Sequence, residues 1–431
     1  MKRMIYVMAL LCCLSIDAQK KWTLQDCINY AMENSVSMKL AKIKKQSAQE
    51  DALQSKAALL PTLTASTSQG GGYSPFDNTA ADKVYYNGSY GVNAQWTVWN
   101  GWQNTNTAKV SKLTEEQADL SIDVTANSLQ EQITKLYVQI LSTADAIEVN
   151  RQNLETSKKN EERGQQMVEV GKMSKADLAQ LTAQRVASEY SIVESETQLS
   201  KYKLQLKQVL DLVDNNFDVA IPTTSDQQAL EPIPTMNSVY EAAMAQRPEI
   251  KNAQLDIEKS KLQMKIAKAG KLPSITLNGG LSTSTNSLAK TAWGSQMKNN
   301  VGLTATLNVS IPIFDARRAK TSINKAYLEQ EQAQVQFDDE EHELYTTIEG
   351  LWLDAVNNQQ KFTSASASVE SEQQSYNLLS EQFNLGLKNI VELMNGKDKL
   401  LTALQNKLQS KYQTILSQQL LKFYQNGTIK I

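Results

Sequence analysis

Tyr90-Gly-Val-Asn-Ala-Gln-Trp-Thr-Val-Trp99 alternates along its whole length. In an extended strand, Tyr90, Val92, Ala94, Trp96 and Val98 share one face, and Gly91, Asn93, Gln95 and Thr97 share the other. A strand with one apolar face covers either a sandwich core or a lipid bilayer. Three further segments resemble it, near Thr62 to Ser68, Ser274 to Leu281 and Val301 to Ile313. In the last, Val301, Leu303, Ala305, Leu307, Val309, Ile311 and Ile313 alternate with Gly302, Thr304, Thr306, Asn308 and Ser310. Segments of about ten residues suit transmembrane strands, and Tyr85, Tyr86, Tyr90, Trp96, Trp99 and Trp102 suit an interfacial girdle.

The chain has 431 residues and a net charge of -2, which gives no reason to expect nucleic acid or anionic lipid as partners. Lys2 and Arg3 precede an apolar run from Met4 to Leu14, followed by Ile16-Asp-Ala-Gln19. This reads as a secretory signal peptide over residues 1–18, too short to remain as a spanning helix. Cys12 and Cys13 lie inside it without the small residue that a lipoprotein signal needs before the cysteine, so no lipid anchor is expected. Cys27 is then the single thiol of an exported chain, which excludes a disulfide framework. No later apolar run reaches the roughly 18 residues of a spanning helix.

The chain is written twice. Leu59-Leu-Pro-Thr-Leu-Thr-Ala-Ser66 returns as Lys271-Leu-Pro-Ser-Ile-Thr-Leu-Asn278, and Val98-Trp-Asn-Gly101 as Ile313-Phe-Asp-Ala316. Val170-Gly171 answers Leu385-Gly386, and Asp177-Leu178 answers Glu392-Leu393, both at an offset of 215 residues. At that same offset the stripe Leu129, Ile133, Leu136, Ile140, Ile147, Leu154 maps onto Leu344, Ile348, Leu351, Ala355, Phe362, Val369. The copies span 19–214 and 238–431, joined by a linker, 215–237, that Pro222, Pro232 and Pro234 keep from being helical.

Each copy reads as helix, strand, loop, strand, very long helix, turn, helix. Helices are expected over Thr23 to Ala57 and Ser238 to Ala269. Gln103 to Val170 contains no proline, so one helix of roughly 68 residues and about 100 Å is expected, matched by Arg317 to Leu385. The returning helix, Ser174 to Asp211, covers just over half of it, and the N-terminal helix stacked end to end would cover the rest. Heptad spacing at Ile133, Ile140, Ile147 and Leu154 points to coiled-coil packing. Helices alone leave open an exported coiled-coil structural or adhesion protein without transport activity.

The strands discriminate. Four strands separated by long helices pair poorly as a sandwich, and the smallest membrane barrels need about eight. An open sheet edge is prohibitively costly in hydrocarbon. Closure therefore requires an oligomer.

In this order, and doubled, the segments quoted above, with Ser310-Ile-Pro-Ile-Phe-Asp-Ala-Arg-Arg-Ala-Lys320 and the turns Val170 to Leu181 and Leu385 to Gly396, resemble the TolC-like outer membrane efflux protein family across the mature chain. That resemblance implies a mainly α fold with a transmembrane β-barrel portion. The fold combines a long α-helical coiled-coil barrel with four strands per chain, closed by trimerisation. It implies the cell outer membrane of a Gram-negative bacterium, an extension into the periplasm, and partnership with a periplasmic adaptor and an inner-membrane pump for efflux or type I secretion. It assigns adaptor docking to Val170, Gly171, Leu385, Gly386 and Leu387. It places a periplasmic gate at Asp177, Phe383, Lys388, Glu392 and Asn395, and a lipid-facing wall at Tyr90, Val92, Ala94, Trp96, Val98, Val301, Leu303, Ala305 and Leu307. Lys172 departs from the family's apolar residue, and Asn395 stands where a second acid is frequent.

Catalysis has little support. His342 lies in Phe337-Asp-Asp-Glu-Glu-His-Glu-Leu-Tyr345, but position 346 is Thr, so a zinc-protease pair of histidines is absent. No enzyme activity, metal or cofactor is expected.

Overall fold

The computed structural model describes residues 21–73, 75, 84–213 and 216–429. The expected signal peptide lies outside the described residues. The elements are α1 (Leu24–Asn34), α2 (Val36–Ala57), β1 (Thr62–Tyr73), β2 (Val84–Trp99), α3 (Gln103–Glu169), α4 (Lys175–Val209), α5 (Asp226–Ala229), α6 (Met236–Gln246), α7 (Pro248–Ala269), β3 (Ser274–Asn286), α8 (Trp293–Asn299), β4 (Gly302–Ser310), α9 (Arg318–Asn384) and α10 (Ile390–Asn426).

Two helices expected as single are each broken once. Ser35 takes an extended backbone between α1 and α2, and its hydroxyl accepts from the Met38 N–H at 3.2 Å. Arg247 is extended between α6 and α7 because it precedes Pro248, and proline is suited to the first turn of α7. α3 and α9 are uninterrupted at 67 residues each. β1, β2 and β3 run further than expected. β4 instead stops at Ser310, just before Ile311-Pro312, where the ladder would meet a proline with no N–H to give. α5 and α8 were not anticipated.

The four strands form one antiparallel sheet in the order β1-β2-β3-β4. Its central pairing, β2 with β3, joins the two sequence repeats, with Val92 opposite Leu281 and Trp96 opposite Leu277. Leu63 and Ala65 of β1 lie opposite Ala94 and Val92, while Leu303, Ala305, Leu307 and Val309 of β4 lie opposite Leu281, Gly279, Leu277 and Ile275. Opposed residues point to the same side. The register therefore assembles one continuous apolar face, backed by a face of Thr62, Thr64, Gln95, Asn93, Asn278, Thr304 and Thr306.

The described residues form two compact units, each drawing on both repeats. The second unit, Ala41–Ile122 with Pro248–Glu340, contains the sheet. The first unit takes Asp123–Arg247 and Glu341–Ile431 with the chain's N-terminal part. In it the duplicated stripes occupy equivalent environments. Leu129, Ile133, Ile140 and Ile147 are buried, as are Leu344, Ile348, Ala355 and Phe362, while Leu136, Leu154, Leu351 and Val369 are all half-buried. Two contacts at the helix breaks are also built here. The carboxylate of Asp211, after α4, accepts from the Val36 N–H at 2.7 Å, and the Arg247 guanidinium lies 4.2 Å from the Tyr424 ring centroid near the end of α10. The linker is docked as well: Asp226 pairs with Lys407 at 2.7 Å and Lys411 at 3.1 Å.

Candidate functional site

The residues singled out in the sequence fall in two parts of the chain: the turns closing the two long hairpins, in the first unit, and the sheet, in the second.

The turns are built alike. α3 ends where the Lys172 N–H reaches the Met167 carbonyl at 2.8 Å and the Gly171 N–H the Val168 carbonyl at 3.0 Å. α9 ends with Leu387 N–H to Gln382 at 2.9 Å and Gly386 N–H to Phe383 at 3.0 Å. Both are Schellman endings, in which the residue after the helix turns left-handed. Gly171 and Gly386 take φ of +73° and +74°, a geometry that would strain a side chain by about 1–2 kcal/mol. Val170, Leu385 and Leu387 stand exposed around them. Sharp reversal thus leaves apolar side chains in solvent at both turns.

The acids after each turn have a local task. The Ser174 hydroxyl accepts from the Asp177 N–H at 3.1 Å and donates to the Asp177 carboxylate at 2.8 Å. Asn389 accepts from the Glu392 N–H at 2.9 Å, and Glu392 accepts in return from the Asn389 N–H at 3.3 Å, a reciprocal cap. Glu392 also pairs with Lys388 at 2.6 Å, and these bonds hold its carboxyl below the usual range. Asn395 is exposed one turn further on. Phe383, expected at a mouth, is buried with Leu181, Tyr376, Ile390, Leu393 and Leu400. There it packs the two hairpins together.

Contacts that sequence reading did not find tie hairpin α3–α4 to hairpin α9–α10. The Asn160 amide donates to the Tyr376 hydroxyl at 3.3 Å. Lys397 of α10, only 4% exposed, donates to the Ser157 hydroxyl, which lies 2.9 Å from that of Ser188. Burial pushes the Lys397 ammonium down to about 8. In the sequence these residues look like ordinary positions on polar helices, and nothing in their spacing marks them.

In the sheet, Tyr90, Val92, Ala94, Trp96, Leu303, Ala305 and Leu307 lie on the apolar face as expected. Val98 is the extra residue of a bulge between Thr97 and Trp99, so Trp99 takes the place opposite Ile275, and Val301 precedes β4. Tyr90 and Trp99 are aromatic residues on this face, spaced along β2 by about 30 Å of extended strand. Tilted by about 40°, that covers about 23 Å, close to the apolar band of membrane barrels at about 25 Å. The Trp96 indole donates to the Leu59 carbonyl at 2.9 Å, which satisfies its one polar atom. Among the described residues β1 and β4 each pair on one side only, and no helix is long and apolar enough to cross a membrane.

The sequence profile of a family described as outer membrane efflux protein matches residues 27–211 and again 239–427. The chain is 24% identical to outer membrane protein TolC of Vibrio cholerae over 420 residues, covering 91% of this chain and 88% of that protein. It is 23% identical to the pyoverdine export outer membrane protein OpmQ of Pseudomonas aeruginosa over 405 residues, covering 88% and 80%. Among solved structures, the CmeC outer membrane channel of Campylobacter jejuni matches with a TM-score of 0.79 at 18% identity, covering 94% of this chain and 86% of that one. That structural likeness speaks for the fold alone. With both halves of the sequence matched by the same profile, the chain belongs to the outer membrane efflux protein family.

Proposed function

We propose that three copies of this chain form an exit duct in the outer membrane, through which an inner-membrane pump expels substrate with a periplasmic adaptor joining the two. The observation that carries this reading is the four-stranded sheet, apolar on one face, polar on the other and, among the described residues, unpaired at both edges. Such a sheet is tolerated in hydrocarbon only if its edges are closed by further copies, and three copies supply twelve strands. The apolar face then meets lipid and the polar face lines the water-filled passage.

The exposed apolar residues at Val170-Gly171 and Leu385-Gly386-Leu387 form the adaptor-docking surface, a role supported by the duplicated turn geometry. A cysteine at Lys172, which is exposed beside the first turn, tests this directly. Native Cys27 is buried and its thiol is pushed up to about 12 by that burial, so it competes poorly for a thiol crosslinker. Lys172→Cys is expected to capture an adaptor in cells, and deletion of the protein is expected to sensitise cells to toxic compounds or to block protein export. No capture together with no deletion phenotype overturns the reading.

At the gate, three copies of Glu392 would place carboxylates around the mouth, with Asp177 in the equivalent position of the other hairpin and Lys388 moderating the charge. Asn395 in place of an acid implies a weaker cation preference. In planar bilayers Glu392→Gln is expected to lower the cation-to-anion permeability ratio, and an unchanged ratio removes Glu392 from the filter.

A further inference from the structure

We propose that α8, with Lys290 just before it, is a membrane-surface anchor whose lysines bind the phosphate groups of lipid headgroups. This rests on the lipid-facing reading of the sheet and adds a headgroup contact to it.

The placement comes from register. Tyr90 and Thr283 are opposed across β2 and β3, on the same face as Val92 and Leu281 and one step beyond them. α8 lies against that face. The Thr283 hydroxyl donates to the Met297 carbonyl at 2.9 Å, and the Trp293 ring meets the Tyr90 ring edge-on at 6.4 Å. The segment therefore sits at the border of the apolar band, where tryptophan and tyrosine prefer the interface.

The segment is clamped. β4 reaches only as far as Gly302 opposite Ser282, which leaves the edge of β3 open beyond that point. Side-chain amides close it. The Asn286 N–H donates to Gln296 at 2.7 Å, Gln296 donates to the Asn286 carbonyl at 3.1 Å and to Thr291 at 2.7 Å, and Asn300 donates to the Ser284 carbonyl at 2.6 Å. With its inner residues engaged this way, α8 leaves Trp293 59% exposed and Lys298 in solvent, with Lys290 exposed nearby.

Among the described residues of the sheet and of the β3–β4 connection, the charge is one-sided. Residues 62–73, 84–99 and 274–310 contain no Asp or Glu, and Lys290 and Lys298 are their only cations. A net charge of -2 for the whole chain conceals this patch. An exposed indole beside two lysines, at the edge of a lipid-facing wall, matches the chemistry of an anionic headgroup layer.

The test uses the full-length protein reconstituted into bilayers of phosphatidylcholine alone or with phosphatidylglycerol. The readout is the temperature at which the SDS-resistant oligomer dissociates. Phosphatidylglycerol should raise it for the wild type and for Lys290→Arg/Lys298→Arg. The Lys290→Gln/Lys298→Gln variant should lose the shift, each lysine accounting for about five-fold in affinity for an anionic surface, and 10 mM inorganic phosphate should not replace the lipid. An equal response in the wild type and the glutamine variant overturns the proposal while leaving the duct intact. Replacement of the lipid by free phosphate also overturns it. Failure of the wild type to enter bilayers of either kind removes the lipid-facing reading and the anchor with it.

Discussion

Ala94→Arg is expected to abolish most of the heat-modifiable oligomer in the outer membrane fraction, while Asn93→Arg leaves it near the wild-type amount. The two positions are adjacent on β2 and differ only in face. Ala94 lies between Leu63 and Gly279 among apolar neighbours, whereas Asn93 lies between Thr64 and Gly280 on the polar face. A lipid-facing arginine costs about 2–4 kcal/mol near the middle of the bilayer, and every copy in the barrel incurs it. The measurement is the ratio of oligomer to monomer on unheated gels of membrane extracts. If Asn93→Arg fails and Ala94→Arg assembles, the faces are assigned the wrong way round.

Lys397→Met is expected to stabilise the hairpin turns by about 3 kcal/mol at pH 7. The figure follows from the lowering of the ammonium from its ordinary 10.5 to about 8 by burial, at about 1.4 kcal/mol for each unit. Methionine keeps the length of the side chain without the charge. The Ser157 hydroxyl keeps its bonds to the Asn153 carbonyl and to Ser188, both at 2.9 Å, so no polar group is orphaned. The pH dependence has a definite sign. Below about 8 the lysine is charged folded and unfolded, and the cost of burying it is fully present. Between about 8 and 10.5 the unfolded chain holds a proton that the folded chain has released, so wild-type stability rises with pH. Amide exchange at the turns, corrected for intrinsic rates, should show this rise in the wild type and a flat profile in Lys397→Met. Weaker protection in Lys397→Met at pH 7 would sink the idea.

Such a lysine explains why some of the site was hidden from sequence reading. Lys397 stands in Met394-Asn-Gly-Lys-Asp-Lys399 and reads as a solvated helix position. Its burial depends on Ser157 and Ser188, which the chain reaches only through another hairpin. Ser35 was equally silent, because apolar residues continue on both sides of it. Arg247-Pro248 carried a visible break signal that a uniform helix across Ser238 to Ala269 overrode. Asp177 and Glu392 were legible as first-turn acids, and their capping bonds follow from local spacing. Phe383 was legible as a tip residue, but its burial needed Leu181 from the other hairpin.

Local periodicity determined a great deal. Alternation with a period of two, unbroken helical stretches, glycines at the reversals and a repeat at 215 residues are all properties of neighbouring positions. They suffice for the strand faces, the long helices and the family. Tertiary structure decided which strands stand side by side, where β4 stops short of β3, and how Gln296 and Asn300 cover the edge left open. The first of these depends on backbone hydrogen bonds between segments nearly 200 residues apart, such as Val92 and Leu281, and the other two on side-chain and ladder bonds made once β3 and β4 are paired. An alternating pattern shows which face each strand will bury, but it carries no label for the strand that will lie beside it.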